Sequence, residues 1–149
     1  MVKSLLLIHA AATLYMVGLI WFVQVVHYPL FDGVGEDGFA AYEDRHARRT
    51  TWVVLPPMVI ELVTAVWLVA QRSTLLPGVP AWQAWAGLGL VVFLWAVTFL
   101  VSVPQHQRLT QGFDVTSHRI LTDTNWLRTT AWSLRGGLVL WMVALRTRG

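Results

Sequence analysis

The sequence predicts an all-α protein, a four-helix transmembrane bundle of two helical hairpins related by a pseudo-twofold axis. Three observations predict this fold. The 149 residues are 56% hydrophobic and only 13% charged, whereas a soluble domain carries about 25% charged residues. Four apolar stretches approach the roughly 20 residues that a membrane-spanning helix needs. Part of the N-terminal half also recurs in the C-terminal half at a constant spacing.

The apolar stretches predict one transmembrane domain, 1–149, with four spans. They lie at about residues 5–26, 52–70, 82–103 and 127–145. The first stretch is too long for a signal peptide, and no small-residue cleavage site follows it. Tryptophans support the limits, because Trp52 and Trp67 are 15 residues apart, as are Trp126 and Trp141. That spacing is about 22 Å along a helix and suits two interfacial aromatic belts.

Two long polar connections follow the first and third spans, so both lie on one side of the membrane. The first contains a turn at 32–35, and we expect it to be helical from Glu36 into the second span. In the other, Gly112 interrupts the chain and 116–124 is expected to form a short helix. The connection at 71–81 is short and reads as a turn. Both chain ends are therefore expected on the side of that turn.

The charge pattern limits the partners and the chemistry. Basic residues are divided almost evenly between the two sides, so the positive-inside rule gives no orientation. No basic cluster is interleaved with exposed aromatics, so nucleic-acid binding is not expected. Membrane lipid and a lipophilic small molecule are the expected partners, and a homo-oligomer is compatible with the pattern. The chain has no cysteine, which excludes disulfides and cysteine-ligated metals.

An internal repeat appears when the chain is shifted by 79 residues. Nine of the 39 positions from His27 to Ala65 are then identical, and most of the matches are polar. His27 coincides with His106, and Arg49-Thr50-Thr51 coincides with Arg128-Thr129-Thr130. We interpret the repeat as two hairpins in the same orientation, with a polar chamber at the end that bears the long connections. Chance, together with the common need for polar residues at helix ends, is the alternative.

Histidines are concentrated at this polar end. Four of the five lie there: His27, His46, His106 and His118. Imidazole is the commonest metal ligand, and two histidines on facing helices suit a cofactor in a bundle core. The candidate ligands of a haem are His27 and His106, and those of a non-haem metal include these two with His118. Histidines that bond only to the backbone or to lipid headgroups explain the pattern as well.

Two charges lie inside predicted spans, Glu61 and Arg135. An ionisable group in a spanning helix normally faces the interior, a partner or a cavity. Counted from Trp52 and Trp126, both lie nine residues into their helices and hence at equal depth. The repeat register instead sets Glu61 deeper. One interpretation is a structural ion pair, and the other is a general base beside a cation that stabilises negative charge.

Polar side chains form stripes that converge on the same end. At the fourth span the spacing i, i+3, i+4 and i+7 places four residues on one helix face: Asn125, Arg128, Thr129 and Trp132. Gln24 extends the polar side of the first span, and Ser102 with His106 that of the third. These stripes, taken with the buried charges and the histidines, predict a site. Its substrate-binding residues are Gln24, Asn125, Thr129 and Trp132, and its catalytic residues are Glu61, Arg128, Arg135 and His46.

The motif Val103-Pro104-Gln105-His106-Gln107-Arg108-Leu109, followed by Asn125-x-x-Arg128-Thr129, resembles the anthrone oxygenase-like family of small four-helix membrane proteins. Trp126 stands where that family has a histidine. The resemblance implies oxidation of a lipophilic aromatic substrate with dioxygen. A weaker likeness links Ile8-His9, Gly18-Leu19, Arg49-x-x-Trp52 and Pro57-Met58 to the membrane protoporphyrinogen oxidases, which bind haem.

The leading hypothesis is an integral, multi-pass membrane oxidoreductase that acts on a lipophilic aromatic or quinone-like molecule. A haem-binding electron carrier or protoporphyrinogen oxidase-like protein is one alternative. A non-catalytic assembly or binding protein is the other. The cofactor is left open between haem, a non-haem metal and none.

Overall fold

The computed structural model describes residues 2–148, of which 92% are helical and none is in a β-strand. Four of the six α-helices are long. The helices are α1 (Val2–Phe22), α2 (Glu36–Ala70), α3 (Arg72–Leu75), α4 (Ala81–Val97), α5 (Val103–Leu109) and α6 (Val115–Arg148). Wide π-helical turns at Val23–His27 and Thr98–Ser102 extend α1 and join α4 to α5, and a 3₁₀ turn follows at Tyr28–Val34. The all-helical class is therefore confirmed.

Prolines account for the position of both wide turns. Pro29 and Pro104 each lie two residues beyond the end of a π-helical turn. Proline has no amide hydrogen to donate to the carbonyl four residues earlier, and its ring clashes with that carbonyl in a regular α-helix. The wider turn lets the helix continue past the proline. Such turns are frequent at functional sites, and these two flank the polar end.

The start of each helix after a polar connection has a local cause. Gly35 adopts a positive φ of 84° and Gly112 one of 138°, so each allows the chain to turn where other residues would be strained. As predicted, α2 begins at Glu36 and runs through the second span. The expected short helix at 116–124 is instead the first part of α6, which is continuous to Arg148. Asp114 caps α6, because its Oδ2 accepts the Ser117 amide hydrogen at 2.7 Å.

The four long helices pack in a ring. α1 contacts α2 and α6, and α4 also contacts α2 and α6, so α2 and α6 face each other across the diagonal. One apolar cluster joins α1, α2, α4 and α6 near the 71–80 connection, where Leu6 and Met142 pack with Leu75. The outer turns of α1 and α6 therefore lie at the same end of the bundle as the 71–80 connection, as predicted.

Within residues 2–148, three helices are long and apolar enough to cross a membrane, over Ser4–Val34, Glu36–Ala70 and Ala81–Leu109, and α6, which contains the fourth predicted span, is not among them. Large apolar side chains also cover the outside of the bundle, among them Trp52 and Leu100 at 82% and 76% exposure. The protein is thus consistent with a multi-pass membrane protein. The helices are longer than the predicted spans, because the polar connections add turns to them. The predicted repeat stays a prediction, and its paired arginines differ, since Arg49 is exposed and Arg128 is buried.

Candidate functional site

The first of two buried polar clusters lies in the middle of the bundle. Glu61 Oε1 accepts hydrogen bonds from Arg135 Nε at 3.3 Å and from a terminal nitrogen of Arg135 at 3.1 Å. Glu61 Oε2 accepts the Trp132 indole hydrogen at 3.0 Å. Arg135 also donates to the Gly87 carbonyl and, at 3.4 Å, to Thr13 Oγ1. Every oxygen of this carboxylate has a donor, and the pair connects all four long helices.

The second cluster lies at the polar end, around His106. His106 Nδ1 lies 2.5 Å from Glu43 Oε1, and His106 Nε2 lies 3.1 Å from the Tyr28 hydroxyl. His27 Nε2 contacts His46 Nδ1 at 3.0 Å. Glu43 is fully buried, and its second carboxylate oxygen has no hydrogen-bond partner among the described residues. This cluster, unlike the first, keeps an unsatisfied polar atom.

Arg128 is the second buried cation of α6. Its terminal nitrogen donates to Ser102 Oγ at 3.3 Å and to Asn125 Oδ1 at 3.1 Å, and its guanidinium lies 5.3 Å from the centre of the Trp132 ring. Within the described part of the chain no carboxylate pairs with Arg128, and its Nε has no partner. A buried cation without a counter-ion is unfavourable unless a ligand completes its environment.

A cavity of about 410 Å³ lies between α2 and the α4–α5 segment, beside this end. Its polar wall includes Tyr28, His46, His106 and Arg128, and its apolar wall includes Val54, Leu55, Met58, Phe99 and Val103. Among the described residues, no carboxylate lines the cavity. The exposed Arg48 does line it. Leu55 and Phe99 are 40% and 48% exposed, so the cavity reaches the apolar outer surface. Its size and lining are typical of a small-molecule site.

The structure brings only part of the predicted site together at this cavity. His46, His106, Arg128 and Ser102 line it. Glu61 and Arg135 do not, because their pairing holds both side chains in the middle of the bundle. The expectation of one pocket lined by most of the predicted residues, Glu61 and Arg135 among them, is therefore corrected.

The remaining predicted residues serve interior contacts. Asn125 Nδ2 donates to Gln24 Oε1 at 2.9 Å, Thr129 Oγ1 donates to the Asn125 carbonyl, and Trp132 donates to Glu61. His27 contacts His46, and His118 Nε2 lies 2.8 Å from the Tyr28 carbonyl oxygen. None of the six predicted residues Gln24, His27, His118, Asn125, Thr129 and Trp132 lines the cavity. His27 and His118 instead contact two residues that do line it, His46 and Tyr28.

A haem held by His27 and His106 does not fit this arrangement. The His46 ring packs against both, with its centre 4.6 Å from that of His27 and 5.4 Å from that of His106. A porphyrin would need that space, because two axial ligands bind opposite faces of the ring. The polar end as folded therefore does not support the haem hypothesis.

Sequence reasoning missed Glu43 and Tyr28. The interpretation of the histidines overlooked a Glu-x-x-His spacing at Glu43 and His46. Residues three apart on a helix lie on one face, and this spacing supplies metal ligands in helical bundles. Tyr28 gave no comparable signal, because its role depends on the turn that brings its hydroxyl to His106.

The chain was compared with protein-family models, with curated proteins and with solved structures, and none of them matches it. The site must therefore be interpreted from its own chemistry.

Proposed function

We propose that this protein is a small integral membrane oxidoreductase that oxidises a lipophilic aromatic or quinol-like molecule in the cavity beside His106. All four long helices would cross the membrane as two hairpins, with α6 placing its two arginines in the interior. The resemblance to anthrone oxygenase-like proteins favours dioxygen as the electron acceptor.

The buried, carboxylate-free environment of Arg128 carries this proposal. A cation at a cavity wall without a protein counter-ion favours a ligand that bears, or develops, negative charge. The apolar walls and the exposed Leu55 and Phe99 at the surface favour a substrate that arrives from lipid. A phenol or enol combines both properties, because its ring is apolar and its oxygen becomes anionic.

The polar wall suits removal of a hydroxyl proton. His46 and His106 line the cavity, and an unprotonated imidazole can accept the proton of a bound hydroxyl. Arg128 then stabilises the oxygen anion. For a hydroquinone, two electrons and two protons pass to dioxygen, and the products are the quinone and hydrogen peroxide. The anion is the form that gives up electrons readily.

An oxidation assay tests the proposal. The protein is reconstituted in lipid nanodiscs with anthrone or decyl-hydroquinone, and dioxygen consumption and product absorbance are followed against empty nanodiscs. Arg128→Met should lower the rate by about 100-fold, the usual loss when one donor to a developing anion is removed. Arg108→Gln is the matched control, because Arg108 is exposed and outside the cavity lining.

Two outcomes would count against catalysis. A wild-type rate no higher than that of empty nanodiscs, with no binding of either probe, would overturn the proposal. Saturable binding that needs Arg128 but gives no turnover would replace it with the non-catalytic binding protein.

A further inference from the structure

We infer that Glu43, His46 and His106 form a binding site for one divalent first-row transition-metal ion. Each residue offers a ligand atom, and these atoms lie within 4.8 Å of one another. Two imidazoles and one carboxylate form the donor set that binds non-haem Fe²⁺, and it also accepts Co²⁺ and Zn²⁺. A modest inward shift of the side chains would bring all three to bonding distance.

The state of Glu43 is an independent reason to expect a cation. This carboxyl group is fully buried, and one of its oxygens has no hydrogen-bond partner among the described residues. A buried polar atom without a partner is unfavourable by about 1–3 kcal/mol, and by more when it is charged. No lysine or arginine pairs with Glu43 in the described structure. A bound ion would satisfy that oxygen.

The neighbours of the two imidazoles match those of metal ligands. A histidine ligand binds the metal through one ring nitrogen, while the other nitrogen donates to an acceptor that fixes the ring. His46 Nδ1 lies 3.0 Å from His27 Nε2, and His106 Nε2 lies 3.1 Å from the Tyr28 hydroxyl. Each ring therefore keeps one nitrogen for the ion, and at His46 that nitrogen, Nε2, makes only a long contact of 3.5 Å with Thr50 Oγ1. At His106 that nitrogen is Nδ1, which contacts Glu43, so the ion would replace the proton shared by this pair.

The position of the site suits an ion with open coordination positions. His46 and His106 line the cavity, so ligand molecules there could reach an ion held by three protein atoms. The ion would face the hydroxyl group that the proposed function places beside His106. With the ion bound, both imidazoles are occupied as ligands, so the ion rather than an imidazole would favour loss of the hydroxyl proton. Metal binding itself does not depend on turnover, and the two proposals can fail separately.

A Co²⁺ titration tests the site. Detergent-purified protein is treated with chelator, dialysed and titrated with Co²⁺ alone, and visible d–d absorption and calorimetry report geometry and stoichiometry. We expect one ion per chain. Glu43→Gln and His106→Asn should each weaken binding by roughly 100-fold or more. His27→Asn, which removes only the support of His46, should weaken it by about 10–100-fold.

Controls separate ligand loss from misfolding. His9→Asn changes a histidine that contacts Thr64 and lies beside Leu68 and Ala84, toward the 71–80 end of the bundle. This variant should leave Co²⁺ affinity unchanged. Size-exclusion profiles and thermal midpoints identify variants that do not fold, and the wild-type d–d spectrum then still decides between an ordered site and loose binding. Wild-type protein that binds no stoichiometric Co²⁺, or Glu43→Gln with wild-type affinity, would overturn the inference. Oxidation that persists in chelator would reject a catalytic ion but leave the proposed function intact.

Discussion

The two buried polar clusters use the same residue types in opposite ways. α2 contributes a buried glutamate to each, Glu61 in the middle and Glu43 at the polar end, and α6 contributes a buried arginine near each, Arg135 and Arg128. In the middle, glutamate and arginine satisfy each other. At the polar end, within residues 2–148, Arg128 has no carboxylate partner and one oxygen of Glu43 has no hydrogen-bond partner. Saturated polar groups hold helices together, whereas unsatisfied ones are available to a ligand.

The largest expected effect is on the saturated cluster. Arg135→Met alone leaves the Glu61 carboxylate buried without its cation, and breaking such a pair destabilises a protein by about 3–5 kcal/mol. The thermal midpoint in detergent, followed by tryptophan fluorescence, should fall steeply. The double variant Glu61→Leu with Arg135→Met should recover most of the loss, because apolar replacements of a buried pair are often neutral. A double variant as unstable as the single one would show that the pair does more than hold the helices.

The same substitution at the two glutamates sharpens the comparison. Glu61→Gln removes the partner of Arg135 and should lower stability. Glu43→Gln removes a charge that is only half satisfied, so stability should hold or rise. Because Glu43 is the carboxylate that contacts His106, its loss should lower quinol oxidation on the order of 100-fold. Thermal midpoints and rates are measured on both variants in parallel. Equal loss of stability at the two positions would mean that Glu43 contributes as much to folding as Glu61 and that the two clusters do not differ in this respect.

The depth match of Glu61 and Arg135 could be predicted, and their pairing confirms it. The tryptophan register placed them level, and a charge in a spanning helix has few alternatives to a partner. The repeat register, which set Glu61 deeper, does not describe this contact. The roles first considered for the pair, base and anion stabiliser, stay untested.

The Glu43–His106 contact could not be predicted, because Glu43 lies outside the predicted spans, where no register along a spanning helix relates its depth to that of His106. It depends on α2 beginning at Glu36 as one helix, which carries Glu43 over the end of the bundle. The wide turn at Thr98–Ser102, together with Pro104, directs His106 toward it. Local patterns place residues on elements, whereas contacts between elements depend on such turns.

Close packing of α1 against α6 supports the saturated cluster and can be tested separately. A Cβ atom at Gly136 would lie 3.0 Å from Val17 Cγ2, whereas one at Gly137 would meet nothing within 4 Å. Gly136→Leu should therefore push α1 away from Arg135 and its partner Thr13, with a loss of about 1–3 kcal/mol. Gly137→Leu is the matched control and should be tolerated. Thermal midpoints compare the two, and equal effects would mean that α1 does not pack on this face.

The smallest expected effect concerns Asp114, an exposed carboxylate outside both clusters that fixes where α6 begins. Its hydrogen bonds with Ser117 hold the pKa of the Asp114 carboxyl below its ordinary value of 3.8. Because the folded-state pKa is the lower one, this stabilisation is fully present above the unfolded-state pKa. It is lost as the pH falls through the folded-state pKa. Asp114→Ala should slightly lower the thermal midpoint at pH 7, and the difference from wild type should shrink as the pH falls below about 3.8. Asp114→Asn keeps a capping oxygen but does not titrate, so it should stay close to wild type at neutral pH. A deficit in Asp114→Ala that is the same at acid and neutral pH would mean that the charge contributes nothing and that only the helix start is changed.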